Sequence, residues 1–198
     1  MFQGKTSTQD FIPIKEIKEG VVILKQAGWR NILMASSINF DLMSEEEREA
    51  VIYQFQTFLN SLDFGIQILI QSRKLNLKPY LKQLEEIEGA QENELLKIQA
   101  AEYRDFIKSL SEMSNLISKN FYIVVPYYPP MKEKMTEKEF KKWKGQLNLR
   151  SEYVISGLKS TGVTAVLLGS EEILEFLWGF YNPDAAEKET IPVFPKIK

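Results

Sequence analysis

Two short breaks near the N-terminus constrain this chain more than any other feature. Lys18-Glu19-Gly20 and Gln26-Ala27-Gly28 each end in glycine, and they separate the runs Phe11–Ile17, Val21–Lys25 and Arg30–Ile38, all rich in β-branched and aliphatic residues. Connections this short cannot carry a parallel crossover, so they join neighbouring antiparallel strands. The chain therefore opens as a strand meander. Ser44 then offers an N-cap with Glu47 placed to complete a capping box. Val51, Ile52, Phe55, Phe58, Leu59 and Leu62 follow at helical spacing. Beyond that helix, Phe64, Ile66, Ile68 and Ile70 share one parity while Gly65, Gln67 and Gln71 share the other. Such alternation predicts a strand with one buried face. Its apolar residues should line the core against Phe55, Phe58 and Leu62, and Ile68→Ala should cost about 2–5 kcal/mol.

A long helical stretch comes next. Pro79 suits the first turn of a helix to about Glu88, Gly89 marks a break, and helical spacing resumes from Glu92 to about Ser118. Tyr103, Phe106, Ile107, Leu110, Met113 and Ile117 fall along one side of this second helix. Phe121–Val125 reads as a strand closed by Pro126. Thr136 and Glu139 form a second capping box, opening a helix to about Lys159 whose middle Gly145 weakens. Val163–Leu168 is the last strand, and a final helix runs from Ser170 to Tyr181 before Asn182-Pro183. Strands first and helices interleaved later predict an α+β fold. Its form is a two-layer sandwich of a mixed, largely antiparallel sheet with helices, plus a long helical excursion between strands. A chain of 198 residues suits one domain. Residues 1–10 read as a flexible leader, 11–182 as that domain, and 183–198 as an extended tail.

Composition removes many functions. The chain has neither cysteine nor histidine. Thiolate nucleophiles, imidazole bases, soft-ligand metal sites and disulfides are excluded with them. Carboxylates, lysine, tyrosine and hydroxyls remain, and no spacing among them recommends a reaction. The expectation is no enzyme, no cofactor and no metal. Gly4-Lys5-Thr6 looks like the end of a phosphate-binding loop, but the earlier glycine and preceding strand are missing and Pro13 interrupts any following helix. ATP should therefore be neither bound nor hydrolysed. Glu85, Glu86, Glu88, Glu92 and Glu94 lie among leucines on a helical segment and read as a solvated face. The net charge of −2 provides no overall attraction for nucleic acid. No apolar run is long enough to span a bilayer, and no signal-peptide pattern opens the chain, so a cytoplasmic location is expected.

Surface chemistry offers two candidate sets. Tyr127, Tyr128, Pro129 and Pro130 form a stiff aromatic strand exit, and Trp178 and Tyr181 concentrate aromatic area at the end of the last helix. Such side chains supply contact area at low entropic cost and suit a protein partner. The alternative is Lys138, Lys141, Lys142, Trp143 and Lys144, a basic aromatic-bearing helix that could touch nucleic acid. Interspersed glutamates at 133, 137 and 139 argue instead for a solvated, ion-paired face.

Several segments together resemble a known family. They are Ser7-Thr8-Gln9-Asp10-Phe11-Ile12-Pro13-Ile14, Gly20-Val21-Val22, Leu33-Met34 and Ser36-Ser37-Ile38-Asn39-Phe40. Ser44-Glu45-Glu46-Glu47, Phe58-Leu59-Asn60-Ser61-Leu62-Asp63-Phe64, Ile70-Gln71-Ser72-Arg73-Lys74-Leu75 and Tyr181-Asn182-Pro183-Asp184 continue the series. In this order they resemble TraC-like domain proteins, which correspond to the N-terminal domain of conjugation and type IV secretion ATPases. In those ATPases a RecA-like motor with Walker motifs follows; here the sequence given stops at Lys198. The resemblance implies a non-catalytic protein-interaction component of a DNA-transfer or secretion apparatus. Its expected partner is a separate motor ATPase or a membrane-channel subunit, met at the inner face of the membrane.

Overall fold

The computed structural model describes residues 12–26, 28–74, 77–113, 117–130 and 135–183. The leader with Gly4-Lys5-Thr6 and the tail beyond Pro183 lie outside them. The strands are β1 (Ile14–Lys18), β2 (Val21–Leu24), β3 (Trp29–Ala35), β4 (Gln67–Lys74), β5 (Ile117–Tyr127) and β6 (Ala165–Leu167). The helices are α1 (Glu45–Ser61), α2 (Lys78–Ala90), α3 (Glu94–Met113), α4 (Glu137–Ser160) and α5 (Ser170–Tyr181), with a 3-10 turn at Phe40–Leu42. The fold is α+β, on an antiparallel sheet of order β1-β2-β3-β5-β4 in which β6 also pairs β3. By backbone contacts the described residues form two compact units, one within 12–71 and 120–177 and the other within 72–119 and 178–183.

The first unit holds most of the sheet. Glu19 and Gly20 both take positive φ, 49° and 79°, in a two-residue turn between the paired Lys18 and Val21. That conformation matches the strand twist of a tight hairpin, and glycine adopts it without penalty. The Gly20 N–H donates to Ser170 Oγ at 2.8 Å, tying the turn to the start of α5. β3 pairs β5 from Trp29↔Tyr127 to Ala35↔Phe121. On its other edge β3 pairs β2 at Trp29 and Arg30, then β6 from Leu33 to Ala35.

Alternation along β3 and β5 sorts side chains to opposite faces. On one face Trp29, Leu33, Ile123 and Val125 pack with Phe58 of α1 and with Phe140, Leu147, Val154 and Leu158 of α4. Both capping boxes form as read from sequence: Ser44 with Glu47, and Thr136 with Glu139. The Glu47 carboxyl is held below its ordinary pKa, chiefly by the Ser44 backbone N–H and then by the Ser44 hydroxyl. On the other face Val22, Ile32 and Tyr122 pack with Ile173 and Phe176 of α5. A buried polar group interrupts the first face. Asn31 Nδ2 donates to Ser151 Oγ at 2.9 Å and to Asn148 Oδ1 at 3.0 Å, linking β3 to α4.

The second unit is built on the helical hairpin of α2 and α3. Pro79 sits in the first turn of α2, where its missing N–H costs nothing. Leu84 is buried, the Tyr80 and Tyr103 hydroxyls lie 3.2 Å apart, and Arg104 pairs with Glu88 and Asp105. Glu88 is thus an ion-pair partner, while Glu85, Glu86, Glu92 and Glu94 are exposed.

Three sequence expectations are corrected. Phe64 and Ile66 pack on the first-face core, but Ile68 and Ile70 are 53% and 57% exposed. β4 ends the strand order, and within it the opposite parity packs, with Leu69 against the second-face core. The stripe on α1 is narrower than its spacing suggests, with Phe58 buried, Phe55 and Leu62 packed, and Ile52 and Leu59 exposed. Finally, α3 stops at Met113, and Ile117 opens β5 rather than extending the helix. Sheet pairing outweighs helical spacing there.

These contacts set a contrast in stability. Leu147→Ala should cost about 2–5 kcal/mol as a cavity in the core. Gly157→Ala should cost about 1–3 kcal/mol by overpacking, because a Cβ there would overlap the Phe58 ring. Ile68→Ala should stay below about 0.5 kcal/mol, as an exposed site does. Denaturant unfolding of the three variants checks the order, and a large loss at Ile68 would contradict this placement.

Candidate functional site

The strand exit at Tyr127-Tyr128 is built by residues far apart in sequence. Pro126 faces Arg30 across the β3–β5 pairing and has no N–H to give a neighbouring strand. Its carbonyl instead accepts from Arg150 Nη1 at 2.8 Å. The Arg150 guanidinium also stacks on Phe64 and Tyr127, 4.7 Å and 5.3 Å from the ring centroids. One residue on, Arg30 Nη2 donates to the Tyr128 hydroxyl at 3.0 Å, and Arg30 Nη1 donates to the Trp29 carbonyl at 2.8 Å. Gly28 makes this possible. It has φ of 104°, and a Cβ there would lie 2.6 Å from Arg30 Nη1 and 2.9 Å from Tyr128 Cδ1.

The result is an open cleft of about 480 Å³, lined by Arg30, Arg150, Gln67, Tyr128, Phe64 and Pro126 among others. Its lining includes two guanidiniums and no carboxylate. Tyr128 is 62% exposed at the edge, and Pro130 is exposed beside it. Tyr127 turns the other way. It is half-buried against the core and meets Trp143 at 6.3 Å between centroids. Two residues from rival candidate sets, Tyr127 and Trp143, are therefore brought together as packing. Pro129 is half-buried. Trp178 and Tyr181 belong to the second unit, where Trp178 is half-buried and the exposed Tyr181 meets Phe180 edge-on at 5.9 Å.

The lysine set divides along α4. Lys138, Lys141 and Lys142 are exposed, and Lys142 Nζ lies 5.1 Å from the Trp143 ring. Lys144 Nζ instead donates to Glu19 Oε2 at 2.7 Å, and Lys18 pairs with Glu137 at 3.2 Å while lying over Phe140. The hydrogen bond from Lys144 is the main reason the Glu19 carboxyl sits below its ordinary pKa, with further pull from the charges of Lys144, Lys18 and Lys141. Sequence reading missed Arg30, Arg150 and Gly28 as site residues. An arginine inside the apolar run Trp29–Ala35 was the visible signal; its meeting with Tyr128 was not.

The family model for the archaeal TraC-like domain matches residues 15–182. No curated protein matches the chain.

The Glu19–Lys144 pair sets a pH expectation with a definite sign. Glu19 has a depressed folded pKa, so the pair supports the fold above the ordinary carboxylate range and loses its contribution as pH falls through the folded value. Carbon-13 titration of the side-chain carboxyls should find Glu19 titrating below the ordinary glutamate value. Lys144→Gln should move it upward. An unchanged Glu19 titration in that variant would contradict the pairing.

Proposed function

The chain belongs to the archaeal TraC-like domain family, and from that membership we propose that it is a non-catalytic docking component of a DNA-transfer or secretion apparatus. Its partner on this reading is a motor ATPase or membrane-channel subunit, reached from the cytoplasmic side. The observation that carries the reading is the strand exit. An exposed tyrosine and proline project from a rigid sheet end, and Arg30 holds the Tyr128 ring in place. A pre-ordered aromatic pays little entropy on binding, and such anchors dominate interface energies. The absence of His and Cys from the sequence supports a role in binding rather than chemistry. Among the described residues no helix is long and apolar enough to cross a membrane, which suits attachment through a partner.

A nucleic-acid accessory role is the second reading, favoured by the exposure of Lys138, Lys141 and Lys142 on one helix. Lys144 supports it least, being engaged by Glu19. The two readings differ in salt response. Phosphate contacts release counterions and weaken steeply with salt, whereas an aromatic-anchored protein interface does not.

Affinity purification from the native host, at natural levels, should recover a secretion ATPase or channel subunit. Tyr128→Ala should reduce that recovery while leaving the fold intact. The purified chain should show no saturable binding of a fluorescent ATP analogue. A folded, abundant bait that recovers no such subunit would contradict the docking role, and steeply salt-sensitive DNA binding lost on Lys141→Gln with Lys142→Gln would replace it.

A further inference from the structure

We propose that the cleft beside Tyr128 binds the carboxylates of an acidic, leucine-bearing peptide segment of a protein partner. Its lining places Arg30 and Arg150 in one concavity with Gln67, against apolar walls that include Phe64 and Ile66. Neither guanidinium forms an ion pair with a carboxylate among the described residues. Asp63, adjacent in sequence to the lining residue Phe64, is exposed and pairs with neither. Two other cations of the same unit do find carboxylates, Lys18 with Glu137 and Lys144 with Glu19, and the exposed Lys138, Lys141 and Lys142 lie open to solvent rather than in a groove. Two uncompensated arginines in a partly desolvated groove therefore mark a place where negative charge is required from outside.

The arginines are also positioned for this work. The bond from Arg150 Nη1 to the Pro126 carbonyl and its stacking on Phe64 and Tyr127 fix the plane of its guanidinium. Arg30 is fixed by the Trp29 carbonyl and the Tyr128 hydroxyl, in space that Gly28 leaves open. Arg150 uses one Nη in its bond and Arg30 uses both, yet each five-donor guanidinium keeps further N–H groups that can donate to a carboxylate. A planar, pre-ordered guanidinium favours a planar carboxylate that can be held in bidentate fashion. The apolar walls select aliphatic neighbours for that carboxylate. A nucleic-acid backbone has no apolar side chain to fill them, and the more numerous exposed cations that would suit it lie on α4 at Lys138, Lys141 and Lys142.

The inference rests on the proposed docking role for the origin of the peptide, but the site can be tested without that partner. Fluorescence anisotropy would follow the purified full chain binding a short labelled peptide of alternating glutamate and leucine, at low salt. Saturable binding is expected, weakened about tenfold or more when glutamine replaces glutamate, the scale of losing a hydrogen bond to a charged group. Arg30→Gln and Arg150→Gln should each weaken binding by about tenfold, while Lys97→Gln, at an exposed lysine outside either candidate set, should leave it unchanged. Circular dichroism establishes that each variant is folded, and Arg30→Gln decides the matter if Arg150→Gln, which also removes core stacking, is not. Equal affinity for the glutamine peptide, or indifference to Arg30→Gln, would overturn the proposal. So would tighter binding of labelled single-stranded DNA with the same arginine dependence, which would assign the cleft to phosphate. Peptide binding without recovery of any apparatus subunit from the host would instead contradict the docking role and leave the cleft standing.

Discussion

Everything in the first unit depends on the pairing of β3 along both edges. Trp29–Ala35 shares its backbone with β5 on one side and with β2 and then β6 on the other, and all its side chains but those of Arg30 and Met34 are buried. A strand so placed exposes no unpaired ladder and tolerates few substitutions. Leu33 is fully buried, and Asn31 is buried with it. Its amide requires hydrogen-bond partners at that depth. Ser151 and Asn148 accept from its Nδ2, while its Oδ1 is buried without a partner among the described residues, so the register of α4 over the sheet is a matter of polar pairing as well as apolar fit.

Much of this architecture was legible because it is local. The glycine-ended breaks, both capping boxes and the proline at the start of α2 are short-range devices, and each forms where its residues indicate. What was not legible depends on neighbours. The parity of Ile66, Ile68 and Ile70 is continuous, yet β4 begins only at Gln67 and packs through Leu69, so identical residues pass from packed to exposed. Likewise Ile117 continues the spacing of α3 but joins a strand, since spacing alone cannot report where a ladder will recruit the chain.

The candidate site follows the same division. Tyr127-Tyr128-Pro129-Pro130 is conspicuous in sequence, but its members have different fates. Strand alternation sends Tyr127 to the core face with Trp143 and turns Tyr128 to the cleft with Arg30. Arg150 and Phe64 come from elements distant in sequence, and no local pattern announces their meeting at Pro126. The exposed aromatic, the ordered guanidiniums and the missing carboxylate form one surface with a single chemical demand. On the docking role proposed above, a protein partner would meet that demand.

The central claim is that the face bearing Tyr128 meets a subunit of the apparatus. Photo-crosslinking in the native host tests it most directly, with a benzophenone amino acid installed in place of Tyr128 and, as the comparison, in place of the exposed Tyr53 of α1. The account predicts a covalent adduct with a secretion ATPase or channel subunit from position 128 and none from position 53. No adduct at 128, or the same adduct from both positions, would contradict it.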